Sequence, residues 1–191
     1  MIAAFDVDYR DDYAVAAAVV IPDWETELVV HEERVRVDGV SAYEPSRFYE
    51  RELPALLRLW EQLGAVNATR ERRRGFTPSA DGDRRSGRSQ PRIHTIIVDG
   101  YVWLDGNDAP GLGGHLWEVL DRRVCVIGVA KNRFGESTIA TEVLRGTSAK
   151  PLFVTAAGMD VEAAAGRVES LAGEHRTPTL LGAVDRLCRP H

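Results

Sequence analysis

The sequence contains very little lysine and very little cysteine. Lysine occurs only at Lys131 and Lys150, so arginine carries nearly all of the positive charge. The two cysteines, Cys125 and Cys188, form no CxxC pair, and the chain has no cluster of histidine and cysteine residues. These absences argue against a disulfide-stabilised secreted domain and against a zinc site. We expect two buried free thiols in a reducing compartment.

Long apolar runs are also absent. No run approaches the roughly 20 residues that a membrane-spanning helix requires. The first residues, MIAAFDVDYRDD, soon reach an acidic side chain and lack a basic stretch followed by an apolar one, so we expect no signal peptide. We therefore predict a cytoplasmic protein with no membrane partner.

The composition is that of a folded globular domain. The 191 residues are 44% hydrophobic and 28% charged, which allows a substantial core. We predict a single domain over residues 1–191, acting as a monomer. The net charge is −5 at pH 7, so the protein as a whole lacks the positive charge typical of many nucleic-acid-binding proteins.

One segment has the opposite charge. Residues 70–92, RERRRGFTPSADGDRRSGRSQPR, contain eight arginines and only three acidic side chains. Because glycine, serine and proline also accumulate after Gly64, we predict an arginine-rich loop insertion at about residues 65–92. Its arginines either bind phosphate groups or belong to a solvated insertion, and the sequence leaves both alternatives open.

The hydrophobic pattern of the first part of the chain predicts three strands and a helix. The strands are expected at residues 2–9, 13–22 and 27–36, and the short polar links between them indicate antiparallel hairpins. Apolar residues at helical spacing from Leu53 onward predict an amphipathic helix with Glu52 at its entrance.

The second part of the chain predicts a βαβ unit. One buried strand ends at Asp99, a glycine-rich helix follows at residues 111–120, and another buried strand begins at Val124, which implies parallel strands. A short strand and two helices follow, beginning near Pro151, Asp160 and Pro178. This element order predicts a ribonuclease H-like α/β fold, in which a mixed sheet of three antiparallel strands and then parallel strands is flanked by helices.

Carboxylates occur where this pattern would otherwise be apolar. Asp6 and Asp8 lie two positions apart on the first predicted strand and so point to the same face, while Asp99 ends an apolar strand. A buried carboxylate is costly unless it is paired or binds a cation, and oxygen ligands suit Mg²⁺ or Mn²⁺. Two such ions about 4 Å apart would activate water and stabilise the leaving oxygen in phosphodiester cleavage. The alternative for each acid alone is a structural or turn position.

Five segments, in this order, resemble the endonuclease V family and cover most of the chain outside the arginine-rich insertion. FDVDYRDDYAVAAAVVI is similar to the family's first strand and hairpin, whose leading aspartate binds metal and corresponds to Asp6. YEPSRFYERELPALLRLWEQL is similar to the segment that carries a wedge, which stacks where a base leaves the helix, and a metal-binding glutamate. The wedge corresponds to Tyr43 with Pro45, and the glutamate corresponds to Glu52. IIVDG resembles the strand with the third acid, Asp99.

The remaining segments imply further site residues. IGVAK resembles a strand whose lysine lies at the catalytic centre and corresponds to Lys131, for which a solvated surface position is the alternative. KPLFVTAAGMDVEAAAGRVE and HRTPTLLGAVDRL resemble the C-terminal strand and helices, in which Asp185 lies near the metal. Gly113, Gly114 and His115 are predicted substrate contacts at a helix start, and close helix–strand packing is the alternative for the two glycines.

The resemblance implies a Mg²⁺-dependent endonuclease in which Mn²⁺ substitutes. Asp6, Glu52 and Asp99 would hold the metal, and Lys131 and Asp185 would complete the catalytic set. The expected reaction is hydrolysis of a phosphodiester bond 3′ to a deaminated purine such as hypoxanthine, in nucleic-acid repair, with DNA preferred to RNA. The alternatives are a non-catalytic nucleic-acid-binding module of the same fold and a nuclease for branched DNA.

Two departures from the family pattern concern the substrate-binding surface. The wedge P-Y-I-P of the family is A-Y-E-P at residues 42–45, which places a glutamate where an apolar side chain would unstack bases. After the third acid, the two histidines of the family's H-G-x-x-H-P-R are replaced by Tyr101 and Asp105. We therefore predict a retained metal site with altered contacts to the lesion.

Overall fold

A computed structural model describes residues 1–10, 12–39, 48–73 and 92–189. Within these ranges the chain forms seven strands and four helices. In chain order they are β1 Ile2–Tyr9, β2 Tyr13–Ile21, β3 His31–Asp38, α1 Phe48–Arg73, β4 Thr95–Asp99, α2 Leu112–Val119, β5 Cys125–Ala130, β6 Thr141–Val143, β7 Leu152–Ala157, α3 Val161–Ser170 and α4 Thr179–Cys188. No helix in these ranges is both long and apolar enough to cross a membrane.

The strands form one mixed sheet in the order β3-β2-β1-β4-β5-β7-β6. The first three strands pair antiparallel, and β4 lies parallel between β1 and β5. At the other edge, β7 pairs antiparallel with both β5 and β6. The ribonuclease H-like arrangement that the element order predicts is thereby confirmed.

Helices cover both faces of the sheet and bury two apolar clusters. One cluster joins alternate residues of the central strands, such as Phe5 and Ile96, to Leu56 and Leu59 of α1 and to residues of α2. The other joins the intervening residues, such as Ile97, to α3 and α4. Because side chains alternate along a strand, Asp6 of β1 points to the face that α3 and α4 cover, beyond the last core residue of that face.

Helix α1 differs from its prediction at both ends. It begins at Phe48, so Glu52 lies inside the helix instead of at its entrance, and Pro54 is an internal proline. It continues through Arg73, because a single glycine at position 64 costs only about 1 kcal/mol and the residues around it are mostly good helix formers. The predicted insertion loop is therefore helical in its first part, and residues 74–91 lie outside the described residues.

Two further differences lie at the edges of the sheet. Strand β3 begins at His31, not at residue 27, because β2 ends at Ile21. The Val30 amide still donates to the Val20 carbonyl at 2.9 Å, but residues 27–29 have no residue of β2 opposite them. Strand β6 has no counterpart in the prediction, since its three residues are too few to show a periodic pattern. The predicted cap of α3 is confirmed, because the Asp160 carboxylate accepts a hydrogen bond from the Ala163 amide at 3.0 Å.

Candidate active site

A cavity of about 420 Å³ opens at the carboxyl ends of β1 and β4. Its walls come from β1, β4, α1, α4 and the residues that follow β5. The five predicted catalytic residues all line it, although they are distributed over almost the whole chain: Asp6, Glu52, Asp99, Lys131 and Asp185.

Asp6 is held in place by two hydrogen bonds. The Val7 amide donates to Oδ1 at 2.9 Å, and the Cys188 thiol donates to Oδ2 with an S–O distance of 3.5 Å. Burial, with a smaller contribution from the charges of Asp99 and Asp185, raises the pKa of Asp6 to about 6. The two hydrogen bonds oppose this shift. The carboxylate is therefore oriented by the protein but poorly neutralised by it.

Glu52 faces the cavity from α1 and is only 7% exposed. Burial, together with the smaller repulsion from Asp6 and Asp99, raises the pKa of Glu52 to about 8. Arg51 is the one cation that acts against this rise among the described residues, but its guanidinium lies over the ring of Tyr9 at 4.1 Å. A cation bound in the cavity would relieve this repulsion.

Asp99 and Lys131 form a pair at the rim of the cavity. Lys131 Nζ lies 3.7 Å from Asp99 Oδ2, and both side chains are more than half exposed. Protein atoms around the carboxyl group displace part of its water and so raise the pKa of Asp99, whereas the charge of Lys131 lowers it. The exposed ammonium group is thus placed beside the carboxylates and remains accessible from solvent.

The other two acids near the cavity already have arginine partners. Asp8 pairs with Arg10, and Asp185 pairs with Arg189 one helical turn later at 2.7 Å. No salt bridge joins Asp6 or Glu52 to a basic side chain anywhere in the described ranges. Asp6 and Glu52 are therefore the acids of the cavity that have no basic partner in the described ranges.

Asp6, Glu52 and Asp99 line one cavity, but their oxygens are not close enough together to bind the same metal ion. Within the described residues, no three histidine, cysteine, aspartate or glutamate side chains are gathered closely enough to hold one metal ion. Carboxylates that face one another without a cation repel, which favours side-chain rotamers that keep them apart. Sharing an ion would require rotation about side-chain bonds.

Tyr101 has a role that its position in the sequence does not reveal. Its hydroxyl donates to the carbonyl of Asn132 at 3.2 Å and accepts from the amide of Phe134 at 3.0 Å. Arg176 donates to the carbonyls of Lys131 and Pro151. The backbone at and immediately after Lys131 is thus tied to two other parts of the chain.

Cys188 is the second residue whose role sequence reasoning missed. It was expected only to be a buried thiol, yet it donates to Asp6 and, at 3.2 Å, contacts the carbonyl of Asp185. Burial and the charge of Asp6 raise the pKa of Cys188 to about 12, so the thiol keeps the proton that it donates. Its position three residues after Asp185, on the same helical face, was the available signal.

The predicted substrate contacts of α2 are placed as follows. Gly113 and Gly114 are buried, and the Gly113 amide donates to the carbonyl of Tyr101 at 3.1 Å. A Cβ at Gly113 would lie 2.8 Å from a Val102 methyl carbon, so these glycines provide close packing, whereas substrate contact stays a prediction for both. The His115 ring stacks on that of Tyr49, with centroids 3.6 Å apart.

We predict that Gly114→Ala is destabilising. The added Cβ would lie 2.6 Å from the carbonyl oxygen of Val102 and 2.9 Å from Pro110 Cβ, and the rigid backbone there has no flexible end that can move away. The free energy of unfolding should fall by about 1–3 kcal/mol, as for other overpacked sites. Urea denaturation would measure it, with Gly166→Ala, which meets open space on α3, as the control. Equal stability of both variants and the wild type would contradict the packing role.

Other predicted residues contribute to loops or lie outside the structure. Asp105 accepts hydrogen bonds from the amides of Asn107 and Ala109 and so shapes the loop after β4. The predicted wedge residues Tyr43 and Pro45 lie outside the described residues.

The fold and the cavity define a ribonuclease H-like α/β protein whose acidic site lies at the ends of the central strands. Among solved structures, the chain is similar to endonuclease V. The Ciona intestinalis enzyme, in complex with a 24mer DNA containing an inosine followed by a ribo-adenosine, matches with a TM-score of 0.73 and 19% identity over 98% of this chain and 83% of that chain.

Two further endonuclease V structures give similar matches. The human protein has a TM-score of 0.68 and 21% identity over 98% of this chain and 82% of that chain. The Streptomyces avermitilis protein has a TM-score of 0.68 and 25% identity over 98% of this chain and 78% of that chain. No family model and no curated protein matches the sequence. The resemblance that the five segments indicated is thus confirmed by the fold.

Proposed function

We propose that the protein is a divalent-metal-dependent endonuclease that hydrolyses a phosphodiester bond on the 3′ side of a deaminated purine. One observation carries this proposal: Glu52 is buried and Asp6 is partly buried, neither has a basic partner among the described residues, and both share a cavity with Asp99 and Lys131. A protein seldom keeps such charges unless a cation or substrate uses them.

The chemistry of the donors fits Mg²⁺ or Mn²⁺. The three proposed ligands, Asp6, Glu52 and Asp99, offer carboxylate oxygens, which hard divalent cations prefer. Loss of water around the carboxyl groups, with repulsion between neighbouring acids as the smaller cause, raises the pKa values of all three, and a bound cation would oppose both effects. A bound divalent ion would supply activation of water and stabilisation of the leaving oxygen.

The chain's own residues bind and orient the phosphate. Lys131 offers its ammonium group at the rim beside Asp99, where it would attract a phosphate oxygen and offset negative charge that develops during hydrolysis. The hydrogen bonds from Val7 and Cys188 fix both oxygens of Asp6. Arg189 neutralises Asp185, so this acid adds less repulsion toward an incoming phosphate.

Inosine-containing DNA is favoured because the similar Ciona protein was solved with such a DNA. Tyr101 and Asp105 are engaged in shaping their own loops, so contacts to the lesion would come from other residues than in the family pattern. We also propose that the protein acts as a monomer in the cytoplasm, where its two free cysteines stay reduced.

The decisive experiment compares nicking of matched substrates with Mg²⁺ present. Inosine-containing DNA, the same DNA without inosine, inosine-containing RNA and a branched DNA junction are incubated with wild-type protein and with Asp6→Asn. We expect inosine-dependent cleavage by the wild type alone. Faster cleavage of the junction would favour the branched-DNA nuclease, and binding without cleavage would favour the non-catalytic module.

We predict that Tyr101→Phe slows cleavage by acting through Lys131. The substitution keeps the ring in its contacts with Ala130 and Phe153 but removes both hydrogen bonds of the hydroxyl, so the Lys131 segment loses its tether. Single-turnover nicking should slow by about 10-fold, a typical cost of losing a positioning interaction.

A double-mutant cycle separates this effect from general destabilisation. If Tyr101 acts through Lys131, Tyr101→Phe should have little effect in a Lys131→Ala background. Full additivity of the two substitutions would contradict a positioning role for Tyr101. Full activity of Lys131→Ala alone would instead contradict the proposed role of Lys131.

A further inference from the structure

A second cavity, of about 150 Å³, adjoins the first on the face of the sheet that α4 covers. The two cavities share Phe5, Asp6, Asp99, Lys131 and Asp185, so they lie next to each other where the proposed catalytic residues meet. We call this second cavity the side pocket; the residues that line it alone are Val129, Leu152, Thr177, Leu181, Gly182 and Val184.

The walls of the side pocket differ from those of the first cavity. Val129, Leu152 and Val184 are each at most 3% exposed and belong to the core beneath α4. Leu181, Gly182 and Thr177 form the more open side. None of the six residues that line the pocket alone is ionisable, and Thr177 carries the only polar side chain among these six. The pocket therefore suits an uncharged, largely apolar group, whereas its mouth suits a phosphate.

We propose that the side pocket receives the nucleobase of a nucleotide next to the scissile phosphate. This inference rests on the proposed nuclease function, because the phosphate must lie at Lys131 and the carboxylates. A base attached one sugar away from that phosphate would lie beside the residues that line both cavities. Apolar walls stabilise an unstacked base, because every base offers a large nonpolar face.

The chemistry of the pocket also indicates how such a base would be recognised. With one hydroxyl available, hydrogen bonding to the edge of the base can distinguish few alternatives, so fit and apolar contact dominate. The pocket lies under α4 and beside Asp99 and Lys131. It would thus hold a nucleotide next to the phosphate and tolerate different bases there.

Filling the pocket tests the proposal. Gly182→Leu adds a side chain on α4, where the new Cβ would meet only the end of the flexible Arg186 side chain, at 3.3 Å. Leucine is a better helix former than glycine, so α4 should not be weakened. Gly166→Leu on α3, where a Cβ meets open space, is the matched control.

Equilibrium binding makes the test independent of turnover. Each substitution is combined with Asp6→Asn, and fluorescence anisotropy measures the Kd for inosine-containing DNA in Mg²⁺. A series of such DNAs carries one abasic site at each nucleotide around the scissile phosphate in turn. We expect one abasic position to raise the Kd by about 10-fold, as loss of a stacked base does elsewhere.

Gly182→Leu should raise the Kd of the intact DNA by a similar factor and have no effect on the DNA that lacks that base, while Gly166→Leu changes neither. An unchanged Kd for Gly182→Leu, or effects of Gly182→Leu and the abasic site that multiply, would overturn the pocket assignment. Failure of the nuclease proposal is seen separately, as wild-type protein that binds these DNAs but does not nick them.

Discussion

Asparagine at position 6 is expected to abolish phosphodiester cleavage while the fold is retained. Asp6→Asn keeps the shape of the side chain and an oxygen that can accept the Val7 amide, but it removes the charge that would hold a divalent ion. Loss of such a group should slow single-turnover nicking by roughly 1,000-fold or more, at the upper end of what one electrostatic contact contributes. Circular dichroism would confirm that the variant is folded.

Asp8→Asn is the matched control for this prediction. Asp8 lies on the same strand and the same face, two residues further on, and lines the same cavity, but it is paired with Arg10. Its neutralisation should change the rate by less than about 10-fold, because its charge is already compensated. Equal losses in the two variants would mean that negative charge in general, and not a ligand at position 6, supports the reaction.

Glu52→Gln should also abolish cleavage but should stabilise the protein in the absence of divalent metal. The pKa of Glu52 is raised to about 8 in the folded state, so the unfolded chain releases this proton at lower pH and stability falls as pH rises toward 8. The free energy of unfolding of Glu52→Gln should therefore exceed that of the wild type by about 1–3 kcal/mol above pH 8 and differ little from it below pH 4. Urea denaturation in EDTA at both pH values would measure the difference, and a destabilised variant at high pH would contradict it.

Removal of divalent metal is expected to stop cleavage completely and to lower the melting temperature. A ligand at 100 times its Kd stabilises the folded state by about 2.7 kcal/mol, which corresponds to about 5–10 °C in a protein of this size. Adding Mg²⁺ or Mn²⁺ to protein treated with EDTA should restore both activity and thermal stability. Differential scanning fluorimetry across a Mg²⁺ titration measures the shift.

The same titration with two variants shows where the ion binds. Asp6→Asn and Glu52→Gln should lose most of the Mg²⁺-dependent shift, whereas Asp8→Asn should keep it. A shift of the same size in all of these proteins would place the ion outside the cavity, whatever the effect of EDTA on cleavage.

Several parts of the fold were predictable because they depend on local patterns. The alternating and continuous apolar stretches located the central strands, and Asp160 marked the start of α3 because its side chain caps the following turn. The helix prediction failed at both ends of α1, since the helix continues before Glu52 and beyond Gly64 although Pro54 and Gly64 favour an end near those positions. The three-residue strand β6 forms only because β7 is available to pair with it.

In the cavity, too, the sequence predicted some of the residues and missed contacts that depend on distant parts of the chain. Acids on an apolar strand or at its end drew attention to Asp6 and Asp99, and the family-like segments added Glu52, Lys131 and Asp185. The spacing of Cys188 from Asp185 placed the thiol on the helical face of a predicted site residue, but it did not show that the thiol donates to Asp6. Nothing in the local sequence indicated that the Tyr101 hydroxyl would hold the segment after Lys131. These contacts join residues 182 and 31 positions apart.

The sequence alone determined the order of the strands and helices apart from β6 and named the acids that could bind a cation, because hydrophobic periodicity, residue chemistry and family-like motifs are properties of short segments. Only the tertiary structure decided which acids keep an uncompensated charge. Asp8 and Asp185 have arginine partners, whereas Glu52 meets Asp6 and Asp99 only when α1 packs on the sheet. Burial and mutual repulsion arise from that packing. Both disfavour the charged form of these three carboxylates, and a cation bound among them would relieve both.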